Sequence, residues 1–176
     1  MNTHRIRILL WISMLAGVWA ASAVQAVEPV PAASAAPVYT VDSYDPKRNP
    51  SDDLKAALQQ AKEKNKRVLV QAGGDWCGWC KRLDRYFREN TKVAGELASG
   101  YVILKVNFSD ANPNAAFFAP LPEAQGYPHL WVFDAAGKLL HSQGTGELEE
   151  GSGYHEERML AFLRRWAPPL TAASAQ

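Results

Sequence analysis

Cysteine is almost absent from this chain: there are two in 176 residues. A thiolate zinc site would need a second ligand pair. Beyond the N-terminal segment the only histidines are His129, His141 and His155, which are scattered and lack metal-site spacing. Haem attachment would need a histidine directly after the second cysteine, where Lys81 stands. Charge of either sign is not in excess, with 19 basic against 18 acidic residues, so nothing electrostatic points to nucleic acid or an anionic membrane. Internal repeats are missing. The length predicts one domain whose core stands without staples.

The chain also lacks an apolar run long enough to cross a bilayer, which takes about 20 residues. Its one approach to this, Ile8 to about Ala21, follows Arg5 and Arg7 and precedes the small-residue site Val24-Gln25-Ala26. That arrangement predicts a secretory signal peptide over 1–26, an uncleaved anchor helix being the alternative. Cleavage after Ala26 would remove Arg5 and Arg7 and leave 17 basic and 18 acidic residues, a formal charge of −1. No cysteine lies near the cleavage site, which argues against a lipoprotein. Residues 27–50, with Pro29, Pro31 and Pro37 among alanines, are expected to form a linker and N-terminal extension. A domain over 51–167 and a disordered tail over 168–176 complete the expected organisation.

Both cysteines fall in Asp75-Trp76-Cys77-Gly78-Trp79-Cys80-Lys81. The apolar run Val68-Leu69-Val70 precedes them, and Leu83, Tyr86 and Phe87 follow at helical spacing. The dithiol therefore sits where a strand becomes a helix. Free N–H groups and partial positive charge at a helix start stabilise an anion, so Cys77 is expected to be the exposed, low-pKa thiol. Cys80, one turn on, is expected to be the buried thiol that attacks a mixed disulfide on Cys77. A bridge over two residues closes too small a loop to be an effective staple, so chemistry explains the pair better than stability.

The remaining pattern predicts a short strand over Tyr39–Tyr44, then a helix from about Asp52 capped by Ser51 or Asn49. Strand Arg67–Ala72, helix Cys77–Glu89, short helix Lys92–Ala98 and strand Tyr101–Asn107 follow. Asp110 is expected to cap a helix with Pro113 in its first turn. Strands Leu130–Phe133 and Lys138–Gln143 flank a turn at Asp134–Gly137. Gly144 to Gly153 reads as a loose loop, and Tyr154–Trp166 as the last helix. This order gives an α/β chain, with a central mixed sheet and helices on both faces.

Trp76-Cys77-Gly78-Trp79-Cys80-Lys81 after a short apolar strand resembles the active site of the thioredoxin superfamily. Gly126-Tyr127-Pro128-His129-Leu130-Trp131-Val132-Phe133 resembles that family's cis-proline segment. The resemblance runs from Asp52 to Trp166. It is nearest to small exported members and to the periplasmic thioredoxin domain of the inner-membrane reductant transporter. It implies a thioredoxin-like fold, with Pro128 after a cis peptide facing the dithiol. Tyr127 and Trp76 are then expected to contact substrate, and Phe117 and Phe118 either to widen that apolar surface or to be core. Thioredoxins proper carry a buried Asp six residues before the first cysteine; Gln71 stands there, which removes the usual proton acceptor. Asp75, Asp84, Lys81 and Trp79 are the candidates for tuning the dithiol. Asp84 either raises thiol pKa and relays a proton, or is a solvated carboxylate paired with Arg88 or Lys81.

These features point to an exported, periplasmic thiol:disulfide oxidoreductase on the reducing or isomerising side. It is expected to act on protein disulfides and to be recycled by a membrane or soluble redox partner. The Cys77–Cys80 pair is its redox group, with no metal, nucleotide or other cofactor. The alternatives are a non-catalytic binding module and an adaptor dedicated to one client, such as cytochrome c maturation.

Overall fold

Strands β2 (Arg67–Gly73) and β3 (Tyr101–Asn107) carry unbroken buried runs because both lie inside the sheet with neighbours on either side. The computed structural model describes residues 36–169. The two strands run parallel, with Arg67 opposite Tyr101 and Gly73 opposite Asn107. Strand β1 (Val38–Val41) adds parallel to β3. On the other side β4 (His129–Phe133) adds antiparallel to β2, and β5 (Leu139–Gly144) antiparallel to β4. The order is β1-β3-β2-β4-β5, a mixed five-stranded sheet.

Side chains alternate across a strand, and this alternation places the site. Val68, Val70 and Ala72 of β2 pack with Ala57 and Ala61 of helix α1 (Pro50–Glu63). Leu69 packs on the opposite face, against Leu83 and Phe87 of α2 (Gly78–Glu89), Val93 and Leu97 of α3 (Thr91–Gly100), and Met159 and Leu163 of α5 (Glu156–Arg165). Gln71 and Gly73, two and four residues beyond Leu69, therefore face α2. Helix starts are fixed locally. The Asn49 side chain accepts from Ser51 N (3.0 Å) ahead of Pro50, and Asn90 accepts from Val93 N (3.0 Å) at α3.

Three expectations are corrected. The folded unit begins before residue 51, since β1 lies within the 27–50 extension and pairs with β3. Asp110 caps no helix. The side chains of Asn107, Asn112 and Asn114 bond to backbone groups of this loop and its surroundings, for example Asn114 Nδ2 to the Asn107 carbonyl at 2.7 Å. The short helix α4 begins only at Ala115 (Ala115–Phe118), beyond Pro113. The glycine-rich stretch is ordered. Thr145–Leu148 forms one 3-10 turn, and β6 (Glu149–Glu150) pairs with β7 (Gly153–Tyr154) around Gly151, whose φ of 56° suits glycine. Leu148 and Tyr154 anchor that hairpin in the core. The expected signal peptide and most of the expected tail lie outside the described residues. Among those described, no helix is long and apolar enough to cross a membrane.

Candidate active site

β2 ends at Gly73, Gly74 follows it, and both glycines are required by what lies against them. A Cβ on Gly73 would collide with the Cys80 Sγ, and one on Gly74 with the Trp76 indole and, at 2.9 Å, the Phe108 carbonyl oxygen. The chain turns there and Cys77 becomes the N-cap of α2: its Sγ accepts from Cys80 N at 3.1 Å. Cys77 and Cys80 form a disulfide, with Cα atoms 5.2 Å apart. The Cys77 sulfur thus lies at the helix's free N–H groups, where a thiolate is favoured on reduction.

In the disulfide state neither cysteine is exposed. Cys77 is 4% accessible and Cys80 0%. Tyr44 shares their cluster, and Trp79 and Tyr127 pack over it. The aromatic residues the sequence places around the dithiol therefore also shield it.

Tyr127 stacks on Phe108 (centroids 4.6 Å) and meets Trp76 edge-on (5.8 Å). Trp76 is 59% exposed, and its Nε1 donates to the Phe108 carbonyl at 2.7 Å, which fixes the indole. Phe118 packs on Phe108 and Trp131, and both Phe117 and Phe118 are half-buried in the α1-side core. The Tyr127–Pro128 peptide is cis, and Thr145 Oγ1 donates to the Pro128 carbonyl at 2.9 Å. Trp79, Tyr127 and Pro128 line one cleft of about 600 Å³. Trp79 is half-buried, edge-on to Tyr154 (5.7 Å), with the Arg82 guanidinium 4.8 Å over its ring.

Behind the dithiol lies a polar network. Gln71 is fully buried, and its Nε2 donates to the Tyr44 hydroxyl (2.6 Å) and to Asp84 Oδ1 (3.0 Å). Asp84 Oδ2 pairs with Lys105 Nζ at 2.8 Å, and Lys105 reaches Asp42 at 3.1 Å. Arg88 pairs with Asp42 rather than with Asp84. Asp84 is therefore not the solvated carboxylate paired with Arg88 or Lys81. Burial alone would raise the Asp42 carboxyl, but hydrogen bonds from Arg88 and Lys105 outweigh it and hold it below 3.8. Asp75 and Lys81 are exposed, and among the described residues neither holds an ion pair.

Of the residues expected at the site, Cys77, Cys80, Trp76, Trp79, Tyr127 and Pro128 gather around the disulfide. Asp84 lies behind it, while Asp75 and Lys81 stay at the surface. Tyr44, Phe108 and Lys105 escaped the sequence. Lys105 had a signal, a lone cation in an apolar strand on the same alternation as Tyr101 and Ile103. Tyr44 and Phe108 had none, because loop positions carry no periodicity.

Among the described residues no group of His, Cys, Asp or Glu is arranged to hold a metal ion. A dithiol at a helix start beside an aromatic face can exchange with another disulfide through a mixed disulfide.

Comparison with known proteins agrees with this geometry. Residues 49–135 match a family described as thioredoxin-like. A thiol:disulfide interchange protein, DsbD, of Pseudoalteromonas atlantica is 30% identical over 99 residues, 56% of this chain. The chain spans only 17% of that protein's length. Thioredoxin-like 4 of Arabidopsis thaliana, a chloroplastic protein, is 30% identical over 98 residues, covering 56% of this chain and 48% of that one. A solved structure described as a disulphide isomerase from Xylella fastidiosa superposes with a TM-score of 0.60 at 22% identity, covering 71% of this chain and 97% of that chain. Matched sequence, shared fold and the Cys-Gly-Trp-Cys disulfide at the start of α2 make residues 49–135 of this chain a thioredoxin-like domain.

Proposed function

We propose that this chain is an exported, periplasmic thiol:disulfide oxidoreductase that reduces or isomerises disulfides in protein clients. The observation that carries the reading is the Cys77–Cys80 disulfide at the N-terminus of α2, beside Tyr127-Pro128. The reaction takes two electrons from the protein dithiol. The Cys77 thiolate attacks a client disulfide, one client sulfur leaves as a thiolate and takes up a proton, and Cys77 is joined to the other. Cys80 loses its proton and attacks Cys77 Sγ, which releases the second client sulfur and closes the Cys77–Cys80 bond. No further cofactor is needed, since the dithiol is the redox group, and a membrane or soluble reductant resets it. Trp76, Tyr127 and the Pro128 backbone offer the client an apolar face and an extended edge.

The reducing direction is supported by the motif's centre. Gly78-Trp79 puts no imidazole beside Cys77, so apart from the helix's own N–H groups the motif gives the thiolate little help. Disulfide reduction of insulin, driven by a chemical dithiol, tests the function. Turnover is expected from the wild type and none from Cys77→Ala. If neither turns over while a Cys77→Ala/Cys80→Ala protein still binds unfolded clients, the chain is a binding module.

A further inference from the structure

Tyr44 lies between β1 and α1, ahead of the matched segment 49–135, and the exchange chemistry above gives it no task. Yet it is 6% exposed and shares one buried cluster with Cys77 and Cys80. Its hydroxyl and the Cys80 sulfur press on the same point. A Cβ placed on Gly73 would collide with Cys80 Sγ and lie 3.2 Å from the Tyr44 Oη.

The direction of the phenolic proton follows from its neighbours. The Asp84 carboxylate, paired with Lys105, takes its bond from Gln71, so the Gln71 side chain must present its NH2 group there. The second hydrogen of that NH2 goes to Tyr44 Oη at 2.6 Å. The phenol thus accepts from Gln71, which leaves its own O–H free of the amide within the buried cluster it shares with Cys80. Among the described residues this O–H donates to no other group.

We propose that the Tyr44 hydroxyl is the hydrogen-bond donor that stabilises the Cys80 thiolate during resolution of the mixed disulfide. The proposal rests on the exchange reaction above. In that step Cys80 must lose its proton inside a cluster with almost no access to water, where an unsolvated thiolate is costly. Gln71, a neutral amide, is no base. A donor O–H offers the thiolate what water cannot, in the manner of other charge-assisted hydrogen bonds. The balance is unchanged: the proton lost by Cys80 is matched by the one the departing client sulfur takes up. Burial first, and then the Asp84 charge, holds the Tyr44 phenol well above 10, so it remains a donor and does not act as a base. The charged and titratable groups facing it are Asp84 from α2, Lys105 from β3 (Nζ 5.5 Å from its ring), Tyr39 from β1 and Tyr154 from β7. Asp42 and Arg88 pair with one another behind Lys105.

The test is the pH titration of Cys80 by ultraviolet thiolate absorbance in the full chain carrying Cys77→Ser, with Tyr44 and with Tyr44→Phe. The Phe variant is expected to raise the Cys80 pKa by about one pH unit, an about tenfold loss of thiolate. In a Cys80→Ser background the same change should leave the Cys77 pKa in place. An unchanged Cys80 pKa would overturn the proposal. If Tyr44→Phe does not fold, the ζ-carbon NMR shift of Tyr44 in the Cys77→Ser protein should move as Cys80 ionises, and a flat shift overturns it equally. Both readouts are independent of turnover, so loss of the oxidoreductase reading would leave them standing and their failure would leave turnover intact.

Discussion

The two sulfurs of one motif are held in different surroundings. Cys77 Sγ already accepts the Cys80 backbone N–H, whereas Cys80 Sγ is packed against Gly73 beside Tyr44. After reduction, a small alkylating reagent near neutral pH is expected to label Cys77 first, read by mass spectrometry of the peptides. Faster labelling of Cys80 would reverse the two roles. Without a Cβ, Gly73 lets Cys80 Sγ lie against the end of β2, so Gly73→Ala must displace the disulfide or the Tyr44 ring. It is expected to cost about 1–3 kcal/mol of stability, read by chemical denaturation. Most of this residue-scale arrangement was legible. Cys77, Cys80, Trp76, Tyr127 and Pro128 were all marked by a local motif. The share of Tyr44 in the cover over Cys77 was not, because it reaches the dithiol from a loop with no pattern of its own.

Among the elements, α2 and β3 are joined across the sheet face by Asp84 and Lys105. The Lys105 side chain is 4% exposed and that of Asp84 21%. Removing one partner strands a buried ammonium, although Asp42 still holds it at 3.1 Å. Asp84→Asn is expected to lose about 2 kcal/mol of stability, below the range for a fully buried pair because of that second carboxylate. It also leaves Lys105, 5.5 Å from the Tyr44 ring that packs with Cys80, less neutralised, so the potential should become less negative, read by glutathione equilibration. An unaltered stability and potential would mean that the pair contributes to neither. His129 in β4 gives a pH signature. Burial, and then His141, lowers its pKa below 6.5, with Nε2 against Ser142 Oγ at 2.8 Å. The unfolded chain therefore binds the proton first, and stability should decline as pH falls through about 6.5 and below. Denaturation midpoints across that range should fall for the wild type and stay flatter for His129→Gln. Helix faces and strand bounds were legible because burial imposes a period. Asp84's partner was not, since pairing across elements depends on a register that only the folded sheet defines.

At the scale of the molecule, the sheet order brings the end of β2, the cis-proline segment before β4 and the β6–β7 hairpin around one disulfide. The order of elements from α1 to β5 could be read from the chain, down to the full span of β3, and so could α5. The entry of β1 into the sheet and the folding of the glycine-rich stretch could not. Both depend on distant partners, Val38 on Val102 of β3 and Leu148 on the core. The account's central claim is that Cys77 forms, and Cys80 resolves, a mixed disulfide with a client. The most direct measurement is the intact mass of the full chain carrying Cys80→Ser after incubation, reduced, with a disulfide-bonded protein. The account predicts a covalent adduct attached at Cys77 that a dithiol releases, with none persisting in the wild type. An adduct-free Cys80→Ser protein would contradict it.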